Sequence, residues 1–169
     1  MQQLDNFWGH AEDILVEATP PSEPVYTYDP HYWFYIARPE IEKTHIQSIN
    51  AHGKQFLMTV GGRTYLDTLL RNDFGNGERQ YAIQSFFERA DYYVMIIGDF
   101  LLEGFLDRSV VTRIEEIYAS STAHTQNPWH ELLVLMTVKG KNKLKITRNR
   151  MKARKLKAQL GRNFFLGRR

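Results

Sequence analysis

The side chains most clearly grouped for chemistry in this sequence are cations. Residues 139–169 hold 13 lysines and arginines and no aspartate or glutamate; the last acidic residue of the chain is Glu131. Lys141, Lys143, Lys145, Arg148, Arg150, Lys152, Arg154, Lys155, Lys157 and Arg162 carry most of that charge, with Leu, Ile, Met and Phe interleaved. Cations at this density neutralise phosphates, which positions a protein on a nucleic-acid backbone with little sequence preference. The apolar residues between them would pack the segment on a surface, and Phe164-Phe165-Leu166 would stack on bases or fill a pocket. The same residues have three other readings. They would suit an acidic neighbouring protein or subunit, the chain's own acidic body, or, as a basic amphipathic helix, an anionic membrane.

Carboxylates and imidazoles form weaker groupings. Glu42-x-x-His45 sets an acid and an imidazole one helical turn apart, as in half of a di-metal carboxylate site, but the sequence has no second copy. With Ile41, Ile46 and Ile49 around it, His45 reads as a satisfied, partly buried histidine. His10-x-x-Asp13, His124 and His130-Glu131 lack metal-ligand spacing, so no metal site is assigned. Asp99, Glu103 and Asp107 recur at i, i+4 and i+8 and would share one face of a helix. A carboxyl buried there would be pushed toward its neutral form, which is how catalytic acids are made, whereas the plain reading is the helix's one wet face. The aromatic run Tyr26–Tyr35 would serve as a stacking platform for bases or a ligand pocket or, more simply, as core or subunit contact. Neither a nucleophile elbow, a P-loop, a dinucleotide fingerprint nor a His-Glu-x-x-His zinc motif occurs, so no catalytic residue and no cofactor is assigned.

The elements that must position these groups follow from composition and periodicity. At 169 residues, 43% apolar and 13% aromatic, the chain has material for one core. The absence of cysteine excludes a disulfide framework, a thiolate zinc site and a cysteine nucleophile, and fits a cytoplasmic setting. Met1–Asp13 lacks the pattern of a secretory signal, and Tyr92–Leu106 is broken by Asp99 and Glu103 and too short to span a bilayer, so no membrane partner is expected. The formal charge of +3 is divided unevenly. Residues 1–138 carry nine Lys/Arg against nineteen Asp/Glu, a net −10, and residues 139–169 carry +13. The sequence therefore reads as an acidic globular helical domain over 1–138 and a basic C-terminal arm over 139–169.

Helical spacing marks Leu4–Glu17, Glu40–Ala51, Thr64–Leu70 and Val110–Ala119, with Pro39 near the start of the second. Gln55–Val60 suits a short strand, and Val25–Ile36 two short extended pieces broken at Asp29-Pro30. Glu78–Leu106, apolar nearly all round, is expected to be the central helix of a bundle. For 129–147 a helix capped by Asn127-Pro128 competes with a hairpin from Leu132–Lys139 and Lys143–Thr147. The expected fold is thus mainly α, a compact helical bundle with at most a small β element. The expected function is non-enzymatic: a binding or assembly protein whose basic arm engages nucleic acid or an acidic neighbouring subunit, in a homo-oligomer or larger assembly. The alternatives are a structural subunit of a larger particle, viral or phage among them, and a small metal enzyme using Asp99, Glu103 and His45.

Overall fold

Strand-forming runs dominate the middle of the chain. The computed structural model describes residues 2–74, 79–124 and 128–166, with side chains at all of them except 2–5 and 72. Its strands are β1 (Val25–Asp29), β2 (Phe56–Val60), β3 (Arg79–Ile83), β4 (Tyr92–Ile97), β5 (Phe100–Phe105) and β6 (Lys143–Arg148). They form one six-stranded sheet in the order β3-β2-β1-β4-β5-β6. β1, β2 and β3 are parallel, and β4, β5 and β6 join antiparallel. The helices are α1 (Gln2–Ala18), α2 (Trp33–Ala37), α3 (Pro39–Ala51), α4 (Tyr65–Leu69), α5 (Arg108–Ser120), α6 (Pro128–Leu135) and α7 (Arg150–Leu160). No helix among the described residues is long and apolar enough to cross a membrane.

This α/β architecture replaces the expected mainly-α bundle, and the error has one source. Tyr92-Tyr93-Val94-Met95-Ile96-Ile97 is apolar on every side because it is a strand buried on both faces, a pattern that a core helix also produces. Tyr93, Met95 and Ile97 join the core cluster with α1–α6, and Tyr92, Val94 and Ile96 join the cluster on the opposite face. Gly98 supplies the turn that closes the β4–β5 hairpin, at φ +56°, where a side chain would be strained. Two smaller differences accompany it. The second aromatic piece of 25–36 is the short helix α2, since Pro30 ends β1's run. The 129–147 segment divides into α6 and β6, and β6 pairs with β5, not with 132–139; the expected cap Asn127 lies outside the described residues.

A sheet apolar on both faces needs cover on both. α1–α6 cover one. On the other, Ala153, Leu156 and Leu160 of α7 and Phe164 meet Tyr26, Tyr28, Leu57, Val94, Ile96 and Leu101, with Phe86 and Phe87 beside them. The C-terminal segment reaches from one sheet edge to the other. β6 is the last strand, α7 crosses the face, and beyond it the backbone N–H of Phe165 donates to Gln80 Oε1 of the far edge strand β3 at 2.9 Å. The basic segment is therefore part of the core's construction. Two substitutions in α7 test this. Leu160→Ala, at a position with no exposure, should cost about 2–5 kcal/mol in urea unfolding. Met151→Ala, 78% exposed on the outer side of the same helix, should change stability by less than about 0.5 kcal/mol.

Candidate functional site

The geometry of α7 sorts its cations. Ala153, Leu156 and Leu160 point at the sheet, which puts Met151, Arg154 and Lys155 on the opposite side, with Arg150 beside them. Lys152 and Lys157 lie on the two borders of the buried stripe and reach back to the body. Lys152 Nζ is 2.6 Å from Glu103 Oε1, and Lys157 Nζ is 2.7 Å from Glu23 Oε2. On β6, Lys143 and Lys145 stand opposite Phe105 and Glu103, so they share α7's face of the sheet. Lys143, Lys145 and Arg148 are exposed, as are Lys141, Arg150, Arg154, Lys155 and Arg162. Arg148 lies over the Phe100 ring, 5.6 Å from its centre. The first turn of α7 has no acid, although the helix dipole favours one there; Arg150 and Lys152 occupy it instead. Of the ten cations read from the sequence, Lys143, Lys145, Arg150, Arg154 and Lys155 share one surface; Lys141 precedes β6, Arg162 follows α7, Arg148 points to the other face of the sheet over Phe100, and Lys152 and Lys157 are committed to internal pairs.

The expected acidic stripe is not assembled. Asp99 sits in the β4–β5 turn, and Asp107 caps α5, accepting from Ser109 N at 3.0 Å and Lys141 N at 2.9 Å. Those hydrogen bonds, led by the Ser109 hydroxyl, hold Asp107 down at about 2. Glu103 is buried, but Lys152 and the Tyr92 hydroxyl, 2.8 Å away, outweigh desolvation and keep it below the usual carboxylate range. His45 lies across the sheet from Glu103, on the side of α1–α6, so Asp99, Glu103 and His45 do not share a site.

A second constellation, of which the sequence pattern shows only a part, surrounds a cavity of about 520 Å³ between α1, α3 and the sheet. Thr27 and Asp29 of β1, Phe56 and Met58 of β2 and Tyr93 and Met95 of β4 form its floor, with Trp8, Tyr32 and Phe34 among its walls. Exposed Asn6, His10, Asp13 and Ile41 line its outer part. Gly104 of β5 makes room for the indole of Trp8, whose Cζ3 lies 3.1 Å from where a Cβ would stand. Glu42 is fully engaged: Tyr32 O–H donates to Oε2 at 2.9 Å, and Arg38 lies 2.7 Å from Oε1. His45 Nε2 lies 2.7 Å from Oε1 of the wholly buried Glu12, a charge contact without good hydrogen-bond alignment. Desolvation opposes the imidazolium, but Glu12, Glu42 and Asp13 outweigh it and lift His45 to about 9. Asp29, 8% exposed, has no such partner among the described residues, and burial, reinforced by Glu42, pushes its carboxyl well above the ordinary range.

Two residues beyond Asp29, His31 is clamped between carboxylates. Its Nδ1 lies 2.9 Å from Asp67 Oδ1 and its Nε2 3.3 Å from Glu115 Oε1, with Tyr118 packed on the ring at 4.0 Å. Gly62 allows this, since a Cβ there would stand 2.4 Å from the imidazole. Desolvation opposes the charged ring, but Asp67 and Glu115 outweigh it and raise His31 above its ordinary value, and the ring ties the end of β1 to α4 and α5. Glu42 and His45, half a metal site by spacing, prove to be in ion pairs. Asp29, Arg38 and Glu12 escape sequence reasoning as charged groups of a site, whereas Tyr32 and Phe34 lie in the aromatic run read as a ligand pocket or core; Asp29-Pro30 stands at the carboxyl end of a parallel strand, where α/β folds place ligands. No group of three His, Cys, Asp or Glu suited to a metal ion is found among the described residues. No protein-family model, curated protein or solved structure matches the chain.

The raised values of His45 and Asp29 tie stability to pH in the same direction. A group with a raised folded value binds its proton more tightly when folded, so its contribution is complete below the unfolded value and lost as pH rises. For His45 that window runs from 6.5 to about 9; for Asp29 it starts at 3.8 and extends upward. Urea unfolding between pH 5 and 9 should show stability falling, with His45→Gln flattening the part above 6.5. Asp29→Asn should stabilise the protein at pH 8, by about 1–3 kcal/mol, because it removes a buried unpaired charge. Parallel curves for wild type and both variants would contradict the assignment.

Proposed function

We propose that the protein binds nucleic acid through the face formed by β6 and the outer side of α7, gripping the phosphate backbone without base-specific contacts. The observation that carries this reading is the division of α7. Its inner residues complete the core and its two border lysines are held by Glu103 and Glu23, yet Arg150, Arg154 and Lys155 project outward beside the exposed cations of β6. Folding does not require cations at those outward positions, and the first-turn Arg150 works against the helix dipole until an anion meets it. Exposed Met151 adds apolar contact within the same surface. The body's net −10 would turn phosphate away elsewhere and restrict contact to this face. Lysines along β6 also guard an open sheet edge against pairing with a second copy, which weighs against assembly through that edge.

The test leaves the fold intact. Truncation after Val138 would strip cover from the sheet, so the variant of choice is Arg150→Gln/Arg154→Gln/Lys155→Gln. Binding of a mixed-sequence duplex of about 20 base pairs should weaken steeply with salt. The triple variant should lower the slope of log K against log salt by about 2–3 units, near 0.9 for each phosphate it no longer neutralises. Sequence scrambling of the duplex should change little. Absence of binding at about 50 mM salt, or an unchanged slope in the folded variant, would overturn the proposal.

A further inference from the structure

We propose that the cavity between α1, α3 and the sheet is a binding site for a small organic ammonium, whose charge is met by Asp29 and whose apolar body is held by Trp8, Phe34, Tyr93 and Met58. This is independent of the phosphate-binding face, from which the sheet separates it.

Three observations converge on that ligand class. The first is the pattern of partners inside the cavity. Arg38 and the Tyr32 hydroxyl take up both oxygens of Glu42, and His45 faces Glu12. Asp29 is the carboxyl left over, more than nine-tenths buried and lining the space. A buried carboxylate without a cation is costly, and a protein keeps one where a ligand supplies the missing charge. The second is the wall chemistry. Aromatic rings and thioethers around one carboxylate that has no cation of its own among the described residues suit a monovalent organic cation, since ring faces attract ammonium groups and apolar walls accept its carbon skeleton. A divalent metal would need several unspent oxygen or nitrogen ligands, and here Glu42 and His45 are already engaged. The third is access and size. At about 520 Å³ the cavity falls within the range of small-molecule sites, and exposed Asn6, His10, Asp13 and Ile41 along its lining open it to solvent. Asp29 itself stands at the carboxyl end of β1, the strand where the parallel set β1-β2-β3 meets the antiparallel set β4-β5-β6, and carboxyl ends of parallel strands are the usual ligand positions in α/β sheets.

The probes are 2-phenylethylamine and tryptamine, compared with 2-phenylethanol and 3-phenylpropionate as uncharged and anionic relatives of the first amine. Isothermal titration at pH 7 should give one-to-one binding of the amines and at least about tenfold weaker binding of the alcohol and the acid. Asp29→Asn, expected to fold at least as stably as wild type, should lose about tenfold or more in amine affinity. Glu17→Gln, exposed on α1 and outside the cavity's lining, should stay within about twofold and thereby separate specific pairing from attraction to an acidic surface. The proposal fails if the amines do not bind, if the alcohol or acid binds as well, if Asp29→Asn binds amine like wild type, or if Glu17→Gln loses as much. Oligonucleotide binding should be unaffected by either variant, so the two proposals stand or fall separately.

Discussion

A sheet that is apolar on both faces cannot be left half covered, and the rest of this molecule follows from that constraint. The strands β1, β2, β4 and β5 present Val25, Phe56, Met58, Met95 and Ile97 on one side and Tyr26, Leu57, Val94, Ile96 and Leu101 on the other. Six helices cover the first side. Among the described residues, only the basic C-terminal segment crosses the second as a helix, contributing β6, then α7, then a tail tied to Gln80 of β3. At about 25 cal/mol per Å² of apolar surface removed from water, burying Leu156, Leu160 and Phe164 is the main force that fixes this segment. Its two internal ion pairs align it more than they hold it.

That attachment separates the charges of the protein in space as well as in sequence. The helix whose inner side is needed for folding carries its surplus cations outward, while the carboxylates Asp29, Glu42 and Glu12 lie under α1 and α3 on the other side of the sheet. Each side has a different electrostatic problem. On the basic face, the outward cations are solvated and cost the fold little. In the cavity, Glu42 and Glu12 are balanced by Arg38 and His45, and the strain is concentrated at Asp29. A fold that tolerates one uncompensated buried carboxyl gives up stability at neutral pH, which is the usual mark of a position kept for a ligand rather than for packing.

Much of the chain was legible where one periodicity ruled. Leu4–Glu17, Glu40–Ala51 and Val110–Ala119 each carry an apolar stripe of helical period and emerge as α1, α3 and α5; Gln55–Val60, bounded by Gly61-Gly62, emerges as β2. The β4–β5 hairpin was not legible as such. Tyr92–Leu106 has neither alternation nor a helical stripe because both faces of each strand are buried, and the deciding cue was the Gly98-Asp99 pair between two β-rich runs. The basic cluster was visible at once, but its sorting into inward, border and outward residues required the direction of α7's apolar stripe, set by Ala153, Leu156 and Leu160 together. The cavity was hidden for a different reason. Trp8, Asp29, Arg38, His45 and Tyr93 come from separate elements, and only the sheet order brings them to one place.

The most direct test of the account is a footprint of nucleic acid on the folded protein by NMR chemical-shift mapping with a short mixed-sequence oligonucleotide at low salt. The account predicts perturbations gathered on Lys143, Lys145, Arg150, Met151, Arg154 and Lys155, with the buried residues of α7 and the amides of α1 and α3 left in place. Perturbations spread over the acidic side, or a spectrum unchanged by excess oligonucleotide, would contradict it.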